Sequence, residues 1–439
     1  MGKIILKKNN SKKEESIDSS IDLEVANQII KKFDLFYYNQ LFYIYTGNYW
    51  KPIDQHKIKT EVLNILMDKY KQSRMYNIID IIQLKTFKES TEINLNSEKK
   101  ALNVQNGMYF FKDKKLISHN QESKDFYSTN LFNINFNKTA KCERWEMFVN
   151  EIFEPDPDKE DKILLLQEYL GYCITLDVSF QKALLLLGNG SNGKSIVIQV
   201  MENILGNENY SNIELNQLTK FYIVELQNKL VNFCSEIDHK SQFSSGIFKR
   251  IITGETLTGD AKFKNPIKFQ PRCKLLFATN DLPRTTDTTK GYFRRLLILK
   301  FNRSFEGKEK DLNLIVKLNS ELPGIFNWLL IGLERLYKNN QFTIPESSTD
   351  EVNKYLEASN SVVSFINEKC KITKEPDQYE KYDFLYAEYR TYCTESGDKP
   401  FKKANFRSEI EKQFKNKILF SKTGSLGRHF RNIRILNNN

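Results

Sequence analysis

The segment Gly188-Asn189-Gly190-Ser191-Asn192-Gly193-Lys194-Ser195 has the spacing G-x-x-x-x-G-K-[ST]. Its glycines let successive backbone N–H groups wrap an anion, and a helix beginning at its end adds the positive pole of its dipole. Lys194 can reach β- and γ-phosphates, and the Ser195 hydroxyl can hold Mg²⁺. The chemistry implied is binding and hydrolysis of a nucleoside triphosphate such as ATP. Hydrolysis also needs an acid and a polar group near the γ-phosphate. Leu230–Cys234 reads as a strand ending at Ser235-Glu236, where Glu236 can polarise the attacking water or share the Mg²⁺. Asp238 is a second candidate two residues on. A further strand, Lys274–Ala278, stops at Thr279-Asn280, which puts the Asn280 amide where it can contact the γ-phosphate or orient water. Arg294 and Arg295 come just ahead of another apolar strand, and in this order they suit an arginine finger. Spacing does not choose between the two.

Converging these groups requires an α/β core. The apolar run Ala183–Leu187 leads into the glycine loop, an amphipathic helix follows, and strand-like and helix-like segments alternate to about residue 340. At roughly 150 residues per domain, 439 residues predict about three domains. Residues 1–20 are polar without periodicity and read as a flexible arm. Residues 21–140 read as a small α+β domain, with two strands around Thr46-Gly47-Asn48, a helix over 54–70 carrying Ile58, Val62, Ile65 and Leu66, and a hairpin over 106–119. Trp50 and its aromatic neighbours are core candidates. The α/β domain spans 141–342 and opens with amphipathic helices over 142–153 and 161–174. Between them Asp156 and Asp158 form a D-x-D that could be taken for a metal pair, but its two prolines make a linker the simpler reading. A polar linker over 343–353 leads into a last domain, 350–439, ordered helix (352–369), helix (381–395), helix (402–414), strand (417–421), turn at Thr423-Gly424, strand (429–436).

The formal net charge is +11, and from Pro400 to Asn439 ten Lys/Arg stand against two acids. A basic end of that kind suits a polyanion, nucleic acid first. Six cysteines are spread singly and the chain has four histidines, which argues against a zinc site or a disulfide framework and for a reducing, cytosolic setting. The longest aliphatic run, Ala183–Leu187, is too short to cross a bilayer, and the N-terminal stretch lacks the apolar core of a secretory signal.

The order of P-loop, Ser235-Glu236, Thr279-Asn280 and Phe293-Arg294-Arg295 resembles that of superfamily 3 helicases, ring-forming AAA+ motors of viruses, phages and plasmids. More closely, the chain resembles the helicase part of phage and plasmid primase-helicases related to the poxvirus type. The resembling stretches include NGMYFF (106–111), LQEYLGYCIT (166–175), ITGETLTGDAKFKNPIKFQP (252–271), ATNDLP (278–283), GYFRRL (291–296) and WLLIGLERL (328–336). The resemblance implies an AAA+ P-loop domain between the N-terminal α+β domain and a winged-helix C-terminal domain. It implies ATP and Mg²⁺ as cofactors, single-stranded and forked DNA as partners, and a homo-oligomer, a hexamer by analogy, with 3′-to-5′ polarity. The sites lie between subunits, with the loop and Glu236 from one and an arginine from the next. Many members of the superfamily carry two adjacent acids where this chain has Ser235-Glu236, so the second Mg²⁺ ligand stays open. No primase-like set of histidines and acids stands out in the first 140 residues, so a separate primase or polymerase is expected, in a bacterial host cytoplasm. The segment 256–266 corresponds to a channel hairpin, with Gly259 near its bend and Lys262 and Lys264 facing DNA phosphates. In a winged helix, Lys402, Lys403, Arg407, Lys415, Lys417, Arg428, Arg431 and Arg434 surround the recognition helix and wing. The rivals are an ATP-switched origin-binding initiator without unwinding activity, and a packaging or recombination ATPase.

Overall fold

In the computed structural model, residues 7–436 are described apart from 90, 97–100, 236–242, 261–264, 284, 286, 308–309, 374, 376–377, 398–399 and 425. Four of the expected site residues, Glu236 and its alternative Asp238, Lys262 and Lys264, lie outside the described residues.

The chain opens with the helix Lys7–Phe33, so residues 7–20 are helical rather than the flexible arm expected from their polarity. Downstream this helix buries Val25, Ala26 and Ile29 against the helices Gln55–Leu66 and Gln72–Thr86. A buried ion pair, Asp22 to Arg74 at 3.0 Å, ties the first of these helices to the third. The strands Leu41–Tyr45 and Trp50–Ile53 pair antiparallel across the expected turn, with Leu35–Tyr38 on the other edge. Asp54 caps the following helix by accepting from the His56 N–H at 2.7 Å. A second antiparallel sheet holds Ala101–Val104, Gly107–Phe110 and Lys115–Ile117, the last two being the hairpin read over 106–119.

The centre of the chain is a five-stranded parallel sheet. Its order is Leu296–Lys300, Ala183–Leu187, Lys274–Thr279, Val231–Cys234, Tyr210–Ser211. A parallel sheet covered on both faces buries nearly every side chain, which is why Ala183–Leu187 and residues 275–278 and 296–299 read as unbroken apolar runs. Leu184, Leu186, Leu276 and Leu297 face one core with Trp145, Leu166, Val197 and Leu329 from the flanking helices. Leu185, Leu187, Leu275 and Ile298 face the other with Phe248, Ile251 and Tyr355. Because all strands run the same way, residues that follow a strand lie on one edge of the sheet and residues that precede it lie on the other.

Two loops read as linkers are built into this core. Asp156 pairs with the buried Lys162 at 2.9 Å and accepts from Asn302 Nδ2 at 2.5 Å, while Asp158 accepts from the Ser347 N–H at 2.9 Å. Residues 346–353 are not linker but the start of the helix Glu346–Ala358, which lies on the sheet. Ser348 and Tyr355 are buried there, and the Tyr355 hydroxyl donates to the Pro283 carbonyl. A boundary at 350 therefore cuts a helix, and Asn360 is where a separate core begins.

That last unit packs the helices Ser361–Lys369, Tyr382–Ser396 and Lys403–Gln413 around Phe365, Leu385, Tyr389, Phe406, Ile410 and Phe430. Its strands Tyr379–Lys381, Gly427–Arg431 and Leu419–Thr423 form one antiparallel sheet, and Cys370–Ile372 pairs with Ile433–Ile435. In the region of the hairpin expected over 256–266, Leu257–Gly259 pairs with Ile267–Phe269, so the second strand lies beyond the expected segment, and Gly259, opposite Ile267, ends the first strand next to the turn. Among the described residues, no helix is long and apolar enough to cross a membrane.

Candidate nucleotide site

The glycine loop leaves the strand Ala183–Leu187 in the middle of the sheet and runs into the helix Lys194–Leu205. Two of its glycines are required by space as well as by backbone. A Cβ on Gly188 would come within 2.5 Å of the Phe301 carbonyl oxygen. Gly193 has φ +92°, and a Cβ there would sit 2.9 Å from Ile152 and 3.0 Å from Phe148. The loop is held from outside as well. The Gly188 N–H donates to the Thr279 carbonyl at 3.1 Å, and the Phe305 N–H donates to the Ser191 carbonyl at 2.8 Å.

Lys194 is 6 % exposed, and its amine curls back onto its own loop. It donates to the carbonyls of Gly188 and Asn189, the latter at 3.2 Å, and to Asn192 Oδ1 at 3.0 Å. Burial pushes its pKa below the usual lysine value. Among the described residues this ammonium is held by neutral acceptors alone, so an anion entering the loop finds a charge already in position. Ser195, in the first helical turn, is exposed.

Asn280 is exposed at the end of the strand Lys274–Thr279 and shares one cavity of about 1110 Å³ with Gly188, Asn189, Gly190 and Asn192. The structure therefore brings the glycine loop and Asn280 together. The neighbouring strand ends at Cys234 on this same edge of the sheet, and Glu236 beyond it lies outside the described residues. Arg294 and Arg295 are elsewhere. They precede the strand Leu296–Lys300, whose Leu296 is opposite Ala183 and whose Lys300 is opposite Leu187. The strand length that separates them from the loop is five residues, about 16 Å at the usual rise. Arg294 is exposed, while Arg295 is half-buried with Nη1 donating to the Gly291 carbonyl.

The basic C-terminal residues divide between two places. Lys403 lies over the Tyr382 ring at 5.1 Å, Arg428 over the same ring at 5.5 Å and Arg407 over Phe420 at 3.6 Å. Arg407 also pairs with Glu411 at 3.0 Å, and the half-buried Arg431 donates to His429 Nε2 at 3.4 Å. Lys415, Lys417 and Arg434 are exposed nearby in the same unit. Lys402, expected with them, instead lines the cavity of the glycine loop.

Sequence reasoning missed the remaining walls of that cavity. Asn302, Arg303 and Ser304 follow the strand Leu296–Lys300 on the same edge as the glycine loop, and Lys354, Tyr392, Phe401 and Asn405 come from C-terminal helices and turns. The rule that singled out Asn280, a polar group just past a parallel strand, also finds Asn302. Nothing local marks the others.

Residues 24–154 match the family described as D5 N terminal like, and residues 186–295 match a family of unknown function, DUF5906. The chain is 27% identical over 241 residues to "Putative helicase L207/L206" of Acanthamoeba polyphaga mimivirus and 23% identical over 249 residues to "Putative helicase 121R" of Invertebrate iridescent virus 3. Each alignment covers 49% of this chain, and only 25% and 26% of the relatives, so the chain spans about a quarter of their length. The apo A form of the NrS-1 C-terminal region shares the fold, with a TM-score of 0.51 at 14% identity over 93% of this chain and 98% of that one. The match to D5 N terminal like, the helicase-named viral relatives and the shared fold make the chain similar to phage and viral primase-helicases.

Proposed function

We propose that the chain is an ATP-dependent replicative DNA helicase of a mobile element (a phage, plasmid or chromosomal island). It assembles as a ring, a hexamer by resemblance, translocates on single-stranded DNA and opens forked duplex, with a separate primase or polymerase as partner. The observation that carries the reading is the division of its parts between two edges of the sheet. Glycine loop and Asn280 share one cavity, and Arg294 and Arg295 lie a strand's length away on the opposite edge. An arginine so placed can serve only the site of a neighbouring copy, which is what a head-to-tail ring supplies. The superfamily 3 and AAA+ assignment and the winged-helix reading of residues 360–436 belong to the same proposal. The three helices and antiparallel sheet of that unit, with Lys403, Arg407 and Arg428 gathered over aromatic rings, support the latter.

In this reading Lys194 turns from its loop carbonyls to the β- and γ-phosphates, and backbone N–H groups of residues 188–195 cradle the chain of phosphates. The residues fit a magnesium nucleotide. The Ser195 hydroxyl is exposed in the first turn of the helix, where it can take a metal bound to the phosphates. Bound there, Mg²⁺ supplies charge neutralisation. Glu236 polarises the attacking water, Asn280 orients it, and Arg294 of the next copy steadies the charge that develops; its exposure favours it over Arg295, whose guanidinium is folded onto its own turn. Lys262 and Lys264 hold the phosphates of the translocated strand, contacts that read no sequence.

Strand displacement on a forked duplex, with and without ATP, tests the proposal. ATP-dependent displacement is expected. ATP turnover and duplex binding without displacement would replace it with the ATP-switched initiator.

A further inference from the structure

Four cations line the glycine-loop cavity: Lys300, Arg303, Lys354 and Lys402. Three already have anions. Lys300 and Lys354 share Glu351 at 3.1 and 3.0 Å, and Arg303 pairs with Glu154. Lys402 is exposed and, among the described residues, its side chain has no hydrogen-bond or ionic partner. It does not sit on a loose loop. The Phe401 N–H donates to the Tyr389 hydroxyl at 3.0 Å, the Tyr386 hydroxyl donates to the Phe401 carbonyl at 2.9 Å, and the Tyr382 hydroxyl donates to the Lys403 carbonyl. Three tyrosines of one helix thus clamp the backbone on either side of Lys402. The next residue belongs to a different surface, since Lys403 lies over Tyr382 and Tyr386 beside Arg407 and Arg428. One fixed turn therefore carries a free cation into the nucleotide cavity and, one residue on, a cation into the basic–aromatic cluster.

We propose that Lys402 is shared between two anions, the nucleotide in the cavity and a duplex DNA held by Lys403, Arg407 and Arg428, so that binding of one withdraws it from the other. This rests on the nucleotide and DNA sites of the preceding section and adds the link between them. Without nucleotide, the long Lys402 side chain is free to swing toward a DNA phosphate beside the cluster. A triphosphate in the cavity places several negative charges within its reach, and the fixed turn prevents the unit from serving both at full strength. DNA then loses one phosphate contact. By reciprocity, duplex DNA must weaken nucleotide binding by the same factor.

The salt dependence of duplex binding counts phosphate contacts directly, with a slope of about −0.9 per contact in a plot of log affinity against log salt. The experiment uses the full chain, a labelled duplex and a non-hydrolysable ATP analogue with Mg²⁺, between about 50 and 200 mM salt. In wild type, the analogue should make the slope shallower by about 0.9 and weaken binding at low salt about five- to tenfold. Lys402→Ala should show the shallower slope throughout and no response to the analogue. An unchanged slope in wild type with the analogue bound, or a nucleotide response that survives in Lys402→Ala, overturns the proposal. A fluorescent nucleotide titration of wild type and Lys194→Ala separates the two levels. Equal binding by both removes the glycine-loop reading and this proposal with it, whereas loss of binding only in Lys194→Ala together with an unchanged slope removes this proposal alone.

Discussion

Mixing two inactive variants is the sharpest test of the site divided between neighbours. Arg294→Ala/Arg295→Ala keeps its glycine loop, and Lys194→Ala keeps its arginines. In one chain these parts cannot meet. The Ala183 N–H donates to the Arg295 carbonyl at 2.8 Å and Lys182 Nζ donates to the Arg294 carbonyl at 2.6 Å, which pins both arginines to the start of the strand whose end carries the loop. The gap of about 16 Å exceeds the reach of an arginine side chain. An arginine given in trans is worth on the order of 10³ in turnover, so the arginine variant alone should fall at least that far. In a head-to-tail assembly, each site takes its loop from one copy and its arginine from the next. With equal amounts randomly mixed, about one site in four pairs an intact loop with an intact arginine, whatever the ring size. Steady-state ATP turnover of the mixture should then recover to about a quarter of wild type per subunit if sites fire independently, and less if firing is concerted. Energy transfer between differently labelled copies verifies exchange. No recovery after verified exchange, or wild-type turnover by the arginine variant alone, refutes the argument.

Four further outcomes follow from the proposed roles and the structure. Lys194→Ala should lose ATP turnover without loss of fold, because among the described residues its amine bonds only to its own loop; circular dichroism and turnover measured on one sample check both. Glu236→Gln should bind nucleotide with near wild-type affinity and hydrolyse it slowly, and loss of binding would assign Glu236 a structural role instead. Lys262→Ala with Lys264→Ala should abolish stimulation of ATP turnover by single-stranded DNA and abolish unwinding; full stimulation would make these lysines surface charges. Asp287 supports the arginine turn: burial alone raises its pKa, but hydrogen bonds from Lys249, Thr289 and Ser245 outweigh it and bring the carboxyl from 3.8 down to about 2. A depressed carboxylate contributes stability above its unfolded pKa and loses it as pH falls through the folded one, so Asp287→Asn should cost about 2 kcal/mol near neutral pH, with the gap from wild type closing between pH 4 and 2 in urea unfolding.

What the sequence showed, and what it hid, follows from where the physical signal is local. Strands buried on both faces are apolar at nearly every position, so Ala183–Leu187 and Leu296–Lys300 stand out unaided, and the glycine loop between strand and helix is legible from spacing alone. The start of helix Glu346–Ala358, ahead of the helix read from 352, gives no such signal. It is held by Ser348, Glu351 and Tyr355, two of them polar, and by a hydroxyl that reaches Pro283 across 72 residues, so its sequence resembles a linker while its packing belongs to the core. The polar first turns of Lys7–Phe33 likewise show no apolar periodicity.

Strand direction reaches the arginines but not Lys402. The resemblance implies that Arg294 or Arg295 serves the next copy; the direction of a parallel strand decides which edge a residue occupies, and only residues after the strand share the edge of the loop. That rule needs no coordinates once all strands are taken as parallel; it separates the arginines from the loop of their own chain and makes a second copy necessary to the chemistry proposed. Lys402 and Lys403 are beyond it. Two adjacent lysines ahead of a helix read as one basic patch, and their division between a cavity wall and an aromatic platform is set by Tyr382, Tyr386 and Tyr389, which lie 12 to 21 residues upstream of the backbone they clamp. A contact of that kind leaves no local pattern, so the sequence counts the charges correctly and misplaces the one that links nucleotide to DNA in the mechanism proposed.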